Sequence, residues 1–171
     1  MQQVLYLEKN IYKDFFICLI GSILIALTGQ IAIPLHFTPV PIVLQNAVVL
    51  LMAAFLGSKR GAATTFAFLA QGAMGLPVFA KGAGGMGVLL GPSGGYLFGY
   101  LIGAYVVGLL IERKKGGVFS LVMGNLIIYL FGMCYLATFI SWEKAFLLGV
   151  APFILGDLLK MMVSAKILRK I

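Results

Sequence analysis

Two oppositely charged residues, Asp157 and Lys160, stand within the last long apolar stretch of the chain. Residues three apart are neighbours on one face of an α-helix, so the carboxylate and the ammonium can partly neutralise each other. A charge at the centre of a bilayer costs roughly 2.5–3.5 kcal/mol on insertion scales, and such residues usually mark a ligand or ion pathway. The pair predicts a polar site inside a helix bundle. The structural alternative is a pair whose lysine reaches the membrane interface.

Further polar groups stand in apolar surroundings. Asn125 lies within a later apolar segment, where its amide needs partners, either a ligand or a neighbouring helix. Gln45 lies shortly after a proline-rich stretch, residues 34–41, which we interpret as a rigid lid or as a tight hydrophobic turn. Residues 77–95 are rich in glycine, which lets a backbone approach a ligand and expose N–H donors. With Lys81 and the following helix N-terminus, this segment favours binding of an anionic group over a simple linker.

The composition defines the class of protein that must position these residues. Of 171 residues, 61% are hydrophobic and 11% are charged, and the mean hydropathy is +1.07. Soluble domains are about 45–50% apolar and about 25% charged, so the chain is predicted to be an all-α integral membrane protein. This composition excludes a disordered chain and argues against a nucleic-acid partner, despite a net charge of +8. No catalytic site and no metal site is expected, because one His and two separate Cys offer no cluster.

Charges and prolines divide the chain into six apolar segments of one transmembrane domain, residues 1–171. We predict helices at residues 13–33, 42–57, 61–76, 96–111, 118–140 and 143–168. Most basic residues fall on one side of this arrangement: Lys9, Lys13, Lys59, Arg60, Arg113, Lys114, Lys115, Lys166, Arg169 and Lys170. Only Lys81 and Lys144 fall on the opposite side. The positive-inside rule then places both termini in the cytoplasm.

Four segments resemble one known family. They are FTPVPIVLQ (37–45), GLPVF (75–79), GPSGGYL (91–97) and GDLLK (156–160), in this order along the chain. Together they resemble the BioY family, the biotin-specific substrate-binding subunits (S components) of energy-coupling-factor (ECF) transporters. The resemblance implies an S-component-like bundle of six helices in the bacterial cell (inner) membrane, with a biotin site toward the outer face. It implies as partners a transmembrane coupling subunit and a pair of ABC ATPases, and no cofactor in this chain.

The resemblance also implies roles for individual residues. Asp157 would accept hydrogen bonds from the ureido N–H groups of biotin, and Lys160 or Asn125 would donate to its carbonyl. The valerate carboxylate would point toward the glycine-rich segment; the opposite orientation would pair it with Lys160. The remaining binding residues are expected at the rim and walls of the site: Gln45, Phe37, Gly84, Gly85, Ser93, Tyr96 and Lys81. Ser22 and Ala26, small residues spaced four apart, are the expected docking face for the coupling subunit.

Two other classes of function stay open. A self-sufficient secondary transporter could use Asp157 as a proton or sodium site, although many such transporters contain an internal repeat that we do not find here. A membrane enzyme would need a nucleophile with a base, or a metal cluster, and the sequence offers neither, so it ranks last.

Overall fold

The computed structural model describes residues 11–169. The chain is mainly helical. Its helices are α1 (Ile11–Gly29), α2 (Gln45–Ala73), α3 (Met86–Leu89), α4 (Gly94–Glu112), α5 (Gly117–Leu136), α6 (Trp142–Gly149) and α7 (Ile154–Arg169), with two-residue strands β1 (Ala32–Ile33) and β2 (Ile42–Val43). Within the described residues, five helical stretches are long and apolar enough to cross a membrane: α1, α2, α4, α5 and Trp142–Leu168, which combines α6 and α7. Lys9 and Lys170, which contribute to the predicted orientation, lie outside the described residues.

Helix α2 turns back on itself at Gly57. This residue has φ +83° and ψ 178°, a conformation that residues with a Cβ rarely adopt. A Cβ added at Gly61 would lie 2.6 Å from the Cα of Ala53. In a straight helix, residues eight apart are separated by about 12 Å along the axis. The two limbs, 45–56 and 58–73, are therefore antiparallel neighbours, in the stretch for which the sequence predicts two helices.

The carboxylate of Glu112 binds the start of the second limb. It accepts hydrogen bonds from the backbone N–H of Ser58 at 2.7 Å and from the Ser58 hydroxyl at 2.9 and 3.0 Å. A carboxylate at a helix N-terminus satisfies free N–H groups and interacts favourably with the helix dipole. Nearby, a Cβ at Gly108 would lie 2.4 Å from the Cα of Ser58, so only glycine permits this approach of α4. The end of α4 thus holds the turn of α2 in place.

The first and last predicted helices differ from those observed. The first ends at Gly29 and not at residue 33, because residues 32 and 33 pair antiparallel with 43 and 42 and close the proline-rich loop into a ribbon. The last is not continuous over 143–168. It breaks after Gly149 into a 3-10 turn, Ala151–Phe153, before α7 begins. Pro152 causes this break, because proline has no N–H to donate to the carbonyl four residues earlier.

Helix α4 lies between α2 and α5 and makes the most extensive helix contacts of the described chain. Large apolar side chains fill the interior between these helices, among them Phe68, Leu50, Leu121 and Leu136. Many large apolar side chains also face outward, including Ile20, Leu27 and Phe119. An apolar exterior around a packed interior is what a membrane-spanning bundle requires, because its surroundings are hydrocarbon and not water.

Candidate ligand-binding site

Asp157 lies near the start of α7 and is only 4% exposed. Its Oδ1 forms an ion pair with Nζ of Lys160 at 2.8 Å. Its Oδ2 accepts a hydrogen bond from the Tyr129 hydroxyl at 2.5 Å and a longer one from Nδ2 of Asn125 at 3.5 Å. Three donors from two helices therefore surround a single buried carboxylate, which offsets much of the cost of burying its charge.

Lys160 connects the same site to the start of α2. Its Nζ also donates to the carbonyl oxygen of Val43 at 2.6 Å and to Oδ1 of Asn46 at 3.2 Å. Asn46 Nδ2 in turn donates to Oδ1 of Asn125 at 3.5 Å. We call the five side chains of Asn46, Asn125, Tyr129, Asp157 and Lys160 the polar network. It joins α2, α5 and α7, and every member has a hydrogen-bond partner within it.

A cavity of about 220 Å³ lies beside this network. Its walls come from the proline-rich loop, the start of α2, the glycine-rich segment and α4. They comprise Pro39, Val40, Pro41, Val43, Gln45, Phe79, Ala80, Lys81, Ala83, Val88, Ser93, Tyr96, Leu97 and Tyr100. Val43 belongs to both features, because it lines the cavity while its carbonyl accepts from Lys160. The cavity thus combines apolar and aromatic walls with a few polar groups, as small-molecule sites commonly do.

Packing holds Tyr96 and Gln45 in the cavity wall. The ring of Tyr96 lies against Gly132, where a Cβ would come within 2.2 Å of the ring. The buried amide of Gln45 donates to the carbonyls of Ile25 at 3.1 Å and Val78 at 3.2 Å. Gln45 therefore connects α1 and the start of the glycine-rich segment to the wall of the cavity.

The predicted binding residues divide into three groups. Gln45, Lys81, Ser93 and Tyr96 line the cavity, whereas Asp157, Lys160 and Asn125 form the adjacent network. The third group, Phe37, Gly84 and Gly85, is not among the described residues that line the cavity.

Each residue of the third group has another environment. Phe37 is 59% exposed on the proline-rich loop. A Cβ at Gly84 would lie 2.3 Å from the carbonyl oxygen of Leu76, and the N–H of Gly85 donates to the carbonyl of Gly72 at 2.7 Å. These two glycines fold the loop onto the end of α2, and their contact with a ligand stays a prediction.

The structure does not support an exposed docking pair on α1. Ser22 is completely buried, donates to the Leu19 carbonyl and accepts from Nε2 of Gln71 at 2.8 Å. Ala26 is half-buried and packs against the interior. Ser22 therefore faces α2, where it meets Gln71. Larger apolar residues occupy the outward face of α1 instead, Ile20 and Ile23 among them.

Sequence reasoning missed three polar residues of the site: Tyr129, Tyr100 and Asn46. The spacing of residues along the helices could have indicated two of them, Tyr129 and Tyr100. Tyr129 follows Asn125 by four residues and Tyr100 follows Tyr96 by four, so each tyrosine shares a helix face with a predicted site residue. Asn46 instead stands next to Gln45 on α2, and only the tertiary arrangement brings it to Lys160. Among residues 11–169, no group of three or more His, Cys, Asp or Glu side chains could hold a metal ion.

Comparisons with known proteins identify the family to which the chain belongs. The BioY family matches residues 2–171. The biotin transporter BioY of Thermotoga maritima is 44% identical over 86% of this chain and 89% of its own length. The probable biotin transporter BioY of Pyrococcus horikoshii is 41% identical over 81% and 85%. The crystal structure of an S component for biotin from an ECF-type ABC transporter superposes with a TM-score of 0.86 at 28% identity, covering 96% of this chain and 93% of that one. The chain therefore belongs to the BioY family.

Proposed function

We propose that this protein captures biotin at the outer face of the membrane and delivers it to the cytoplasm as the substrate-binding subunit of an ECF-type importer. Membership of the BioY family makes it a transport protein and not an enzyme. The observation that carries the proposal is the apolar cavity beside the buried Asp157–Lys160 pair. The sequence contains no G-x-x-x-x-G-K-[ST] phosphate-binding motif, and the proposal assigns ATP hydrolysis to the partner ATPases.

The chemistry of the site matches the two ends of biotin. The ureido ring offers two N–H donors and one carbonyl acceptor, which the carboxylate of Asp157 and the donors of Lys160 or Asn125 complement. Each unmet polar group of a buried ring would cost roughly 1–3 kcal/mol. The valerate chain would cross the apolar cavity, and its carboxylate would lie near Lys81 and Ser93. Entry of the ring requires the polar network to exchange some of its internal hydrogen bonds for bonds to the ligand.

We propose six membrane crossings, counting the two limbs of α2 separately and α6 with α7 as one. Each limb of α2 is shorter than the roughly 20 residues of a typical crossing. A short crossing is accommodated by local thinning of the bilayer or by flanking side chains that reach the interface. The basic residues Lys59, Arg60 and Arg113 then lie on the side of both termini, which is the cytoplasm by the positive-inside rule. The cavity lies at the opposite, outer end, in the cell membrane of a bacterium.

The proposed partners are a transmembrane coupling subunit and a pair of ABC ATPases. The outward apolar face of α1, with Ile20, Ile23 and Leu27, is a surface on which a partner helix could pack within the bilayer. The buried pair Ser22 and Ala26 would contribute by holding α1 against α2.

The ion-coupled alternative is less well supported. Its coupling carboxylate would be Asp157, but this group already has a compensating ammonium at 2.8 Å. Because the lysine ammonium already compensates the charge of this carboxylate, binding of a proton or a sodium ion there is less favourable.

Isothermal titration of the purified protein in detergent tests the proposal, with biotin, biotin methyl ester and riboflavin as ligands. We expect stoichiometric heat with biotin and none with riboflavin. Absence of heat with biotin, from protein shown to be folded by its cooperative thermal transition, would refute the proposed substrate. Biotin uptake by lipid vesicles that contain this chain alone, abolished by a protonophore, would favour the ion-coupled alternative.

A further inference from the structure

The break between α6 and α7 leaves two backbone carbonyls without helical partners. In a continuous helix, the Leu148 carbonyl would accept from the N–H of residue 152, which is a proline. The Gly149 carbonyl would accept from Phe153, but that N–H donates to the Val150 carbonyl at 3.0 Å in the 3-10 turn. A buried carbonyl that lacks a partner is costly, above all in a membrane.

Side-chain hydroxyls from two other parts of the chain satisfy both carbonyls. Oγ1 of Thr38 donates to the Leu148 carbonyl at 2.8 Å, and the Tyr96 hydroxyl donates to the Gly149 carbonyl at 2.8 Å. Thr38 lies in the proline-rich loop and is only 8% exposed. Its Oγ1 also accepts the N–H of Val40 at 3.2 Å. The Thr38 hydroxyl therefore shapes the tip of this loop and binds it to the end of α6.

The loop is attached at two levels. At its base, β1 pairs with β2, and Lys160 donates to the carbonyl of Val43. At its tip, Pro39 and Pro41 have no N–H to donate, which limits the backbone bonds that can hold this part of the chain. The residues between these two levels, Pro39, Val40 and Pro41, form one wall of the cavity. Movement of the tip away from α6 would open that wall.

We propose that Thr38 is a positioning residue that latches the proline-rich loop to the proline-broken end of α6 and thereby slows ligand release from the cavity. The ligand part of this inference rests on the proposed function. Because the hydroxyl acts on a closed state, its loss raises the dissociation rate more than it changes the association rate.

The first test compares Thr38→Val, which is nearly isosteric, with Thr38→Ser, which keeps the hydroxyl. One hydrogen bond of ordinary strength corresponds to about a 2- to 12-fold change in rate. We expect biotin to dissociate about 2- to 12-fold faster from the Thr38→Val variant, measured by chase of labelled biotin, and near the original rate from Thr38→Ser. Thr138→Val is the matched control, because Oγ1 of Thr138 donates to the Tyr135 carbonyl within its own turn. An unchanged dissociation rate in Thr38→Val would overturn the inference.

A double-mutant cycle tests whether Thr38 acts through the break. Pro152→Ala restores an N–H that can compete for the Leu148 carbonyl, so Thr38→Val should have a smaller effect in that background. Fully additive effects would contradict the proposed contact between Thr38 and the broken helix end.

Hydrogen exchange of residues 34–43 in the ligand-free protein separates the latch from the proposed substrate. We expect faster exchange of these amides in Thr38→Val than in Thr138→Val, whether or not biotin binds. Faster exchange in a protein that does not bind biotin would keep the latch and refute the substrate. Unchanged exchange would overturn the latch even if biotin binds tightly.

Discussion

Replacement of Asp157 by Asn should weaken biotin binding and also destabilise the fold, and a second substitution separates the two effects. The carboxylate accepts from Lys160 through Oδ1 and from Tyr129 and Asn125 through Oδ2. An amide has one oxygen, so its NH₂ group must face either the Lys160 ammonium or the donors of α5. In either orientation, the side chain has lost one charged oxygen that could accept a hydrogen bond from an N–H group of the ligand. Such a bond is worth about 1.5–3 kcal/mol, which corresponds to about a 10- to 150-fold increase in Kd.

The same change also leaves Lys160 as a largely buried cation without its counter-ion. Breaking a buried ion pair by removing one partner costs about 3–5 kcal/mol in general. The loss here should be at the lower end, because the ammonium keeps the Val43 carbonyl and the Asn46 amide oxygen. A second substitution, Lys160→Met, made in the Asp157→Asn background, removes the unpaired charge. We expect it to recover thermal stability but not biotin affinity.

The assay is isothermal titration with biotin, together with the thermal transition of each variant in the same detergent. Gly156→Ala is the control, because a Cβ at this neighbouring position meets nothing within 4 Å. If the Asp157→Asn variant binds biotin within about threefold of the original Kd, Asp157 only stabilises the fold. Recovery of affinity in the double variant would lead to the same conclusion.

Three further predictions concern the site and its supports. Lys160→Met should weaken binding of biotin and of biotin methyl ester equally if Lys160 contacts the ureido ring. If Lys160 contacts the carboxylate instead, only the binding of biotin should weaken. Isothermal titration with both ligands distinguishes the two orientations. Glu112→Gln should lower the free energy of unfolding by about 1 kcal/mol, because it weakens the cap on the turn of α2, and should leave biotin affinity unchanged. A lower affinity would contradict this purely structural role. Gly132→Ala should weaken biotin binding and lower the midpoint of thermal unfolding, because the new Cβ would displace the ring of Tyr96. Gly156→Ala should be tolerated, since its Cβ meets nothing within 4 Å. Equal midpoints in the two variants would contradict the close packing of Tyr96.

The apolar helical stretches and the spacing of the charged pair could be predicted from the sequence because both are local properties. An apolar run between charges predicts a crossing by its length, and Asp157 and Lys160 are neighbours through helix geometry alone. The limits of the first and last helices could not be predicted as well. The first helix ends early because residues 32 and 33 pair with residues 43 and 42, which lie eleven and nine residues later in the chain. Pro152 could have indicated a break in the last helix, but the sequence does not show which groups bond to the carbonyls that this break leaves without partners. In the structure these groups are the hydroxyls of Thr38 and Tyr96.

By itself, the sequence determined that this is a membrane protein of connected apolar helices, with a charged pair in the last one and motifs of the BioY family. The tertiary structure alone decided which helices meet at that ion pair. It brought Tyr129 and Asn46 to Asp157 and Lys160, and it turned Ser22 inward toward Gln71. Helical periodicity specifies which residues share a face, but not which neighbour that face meets. That choice depends on the close packing of whole helices, where small residues such as Gly108 let backbones approach.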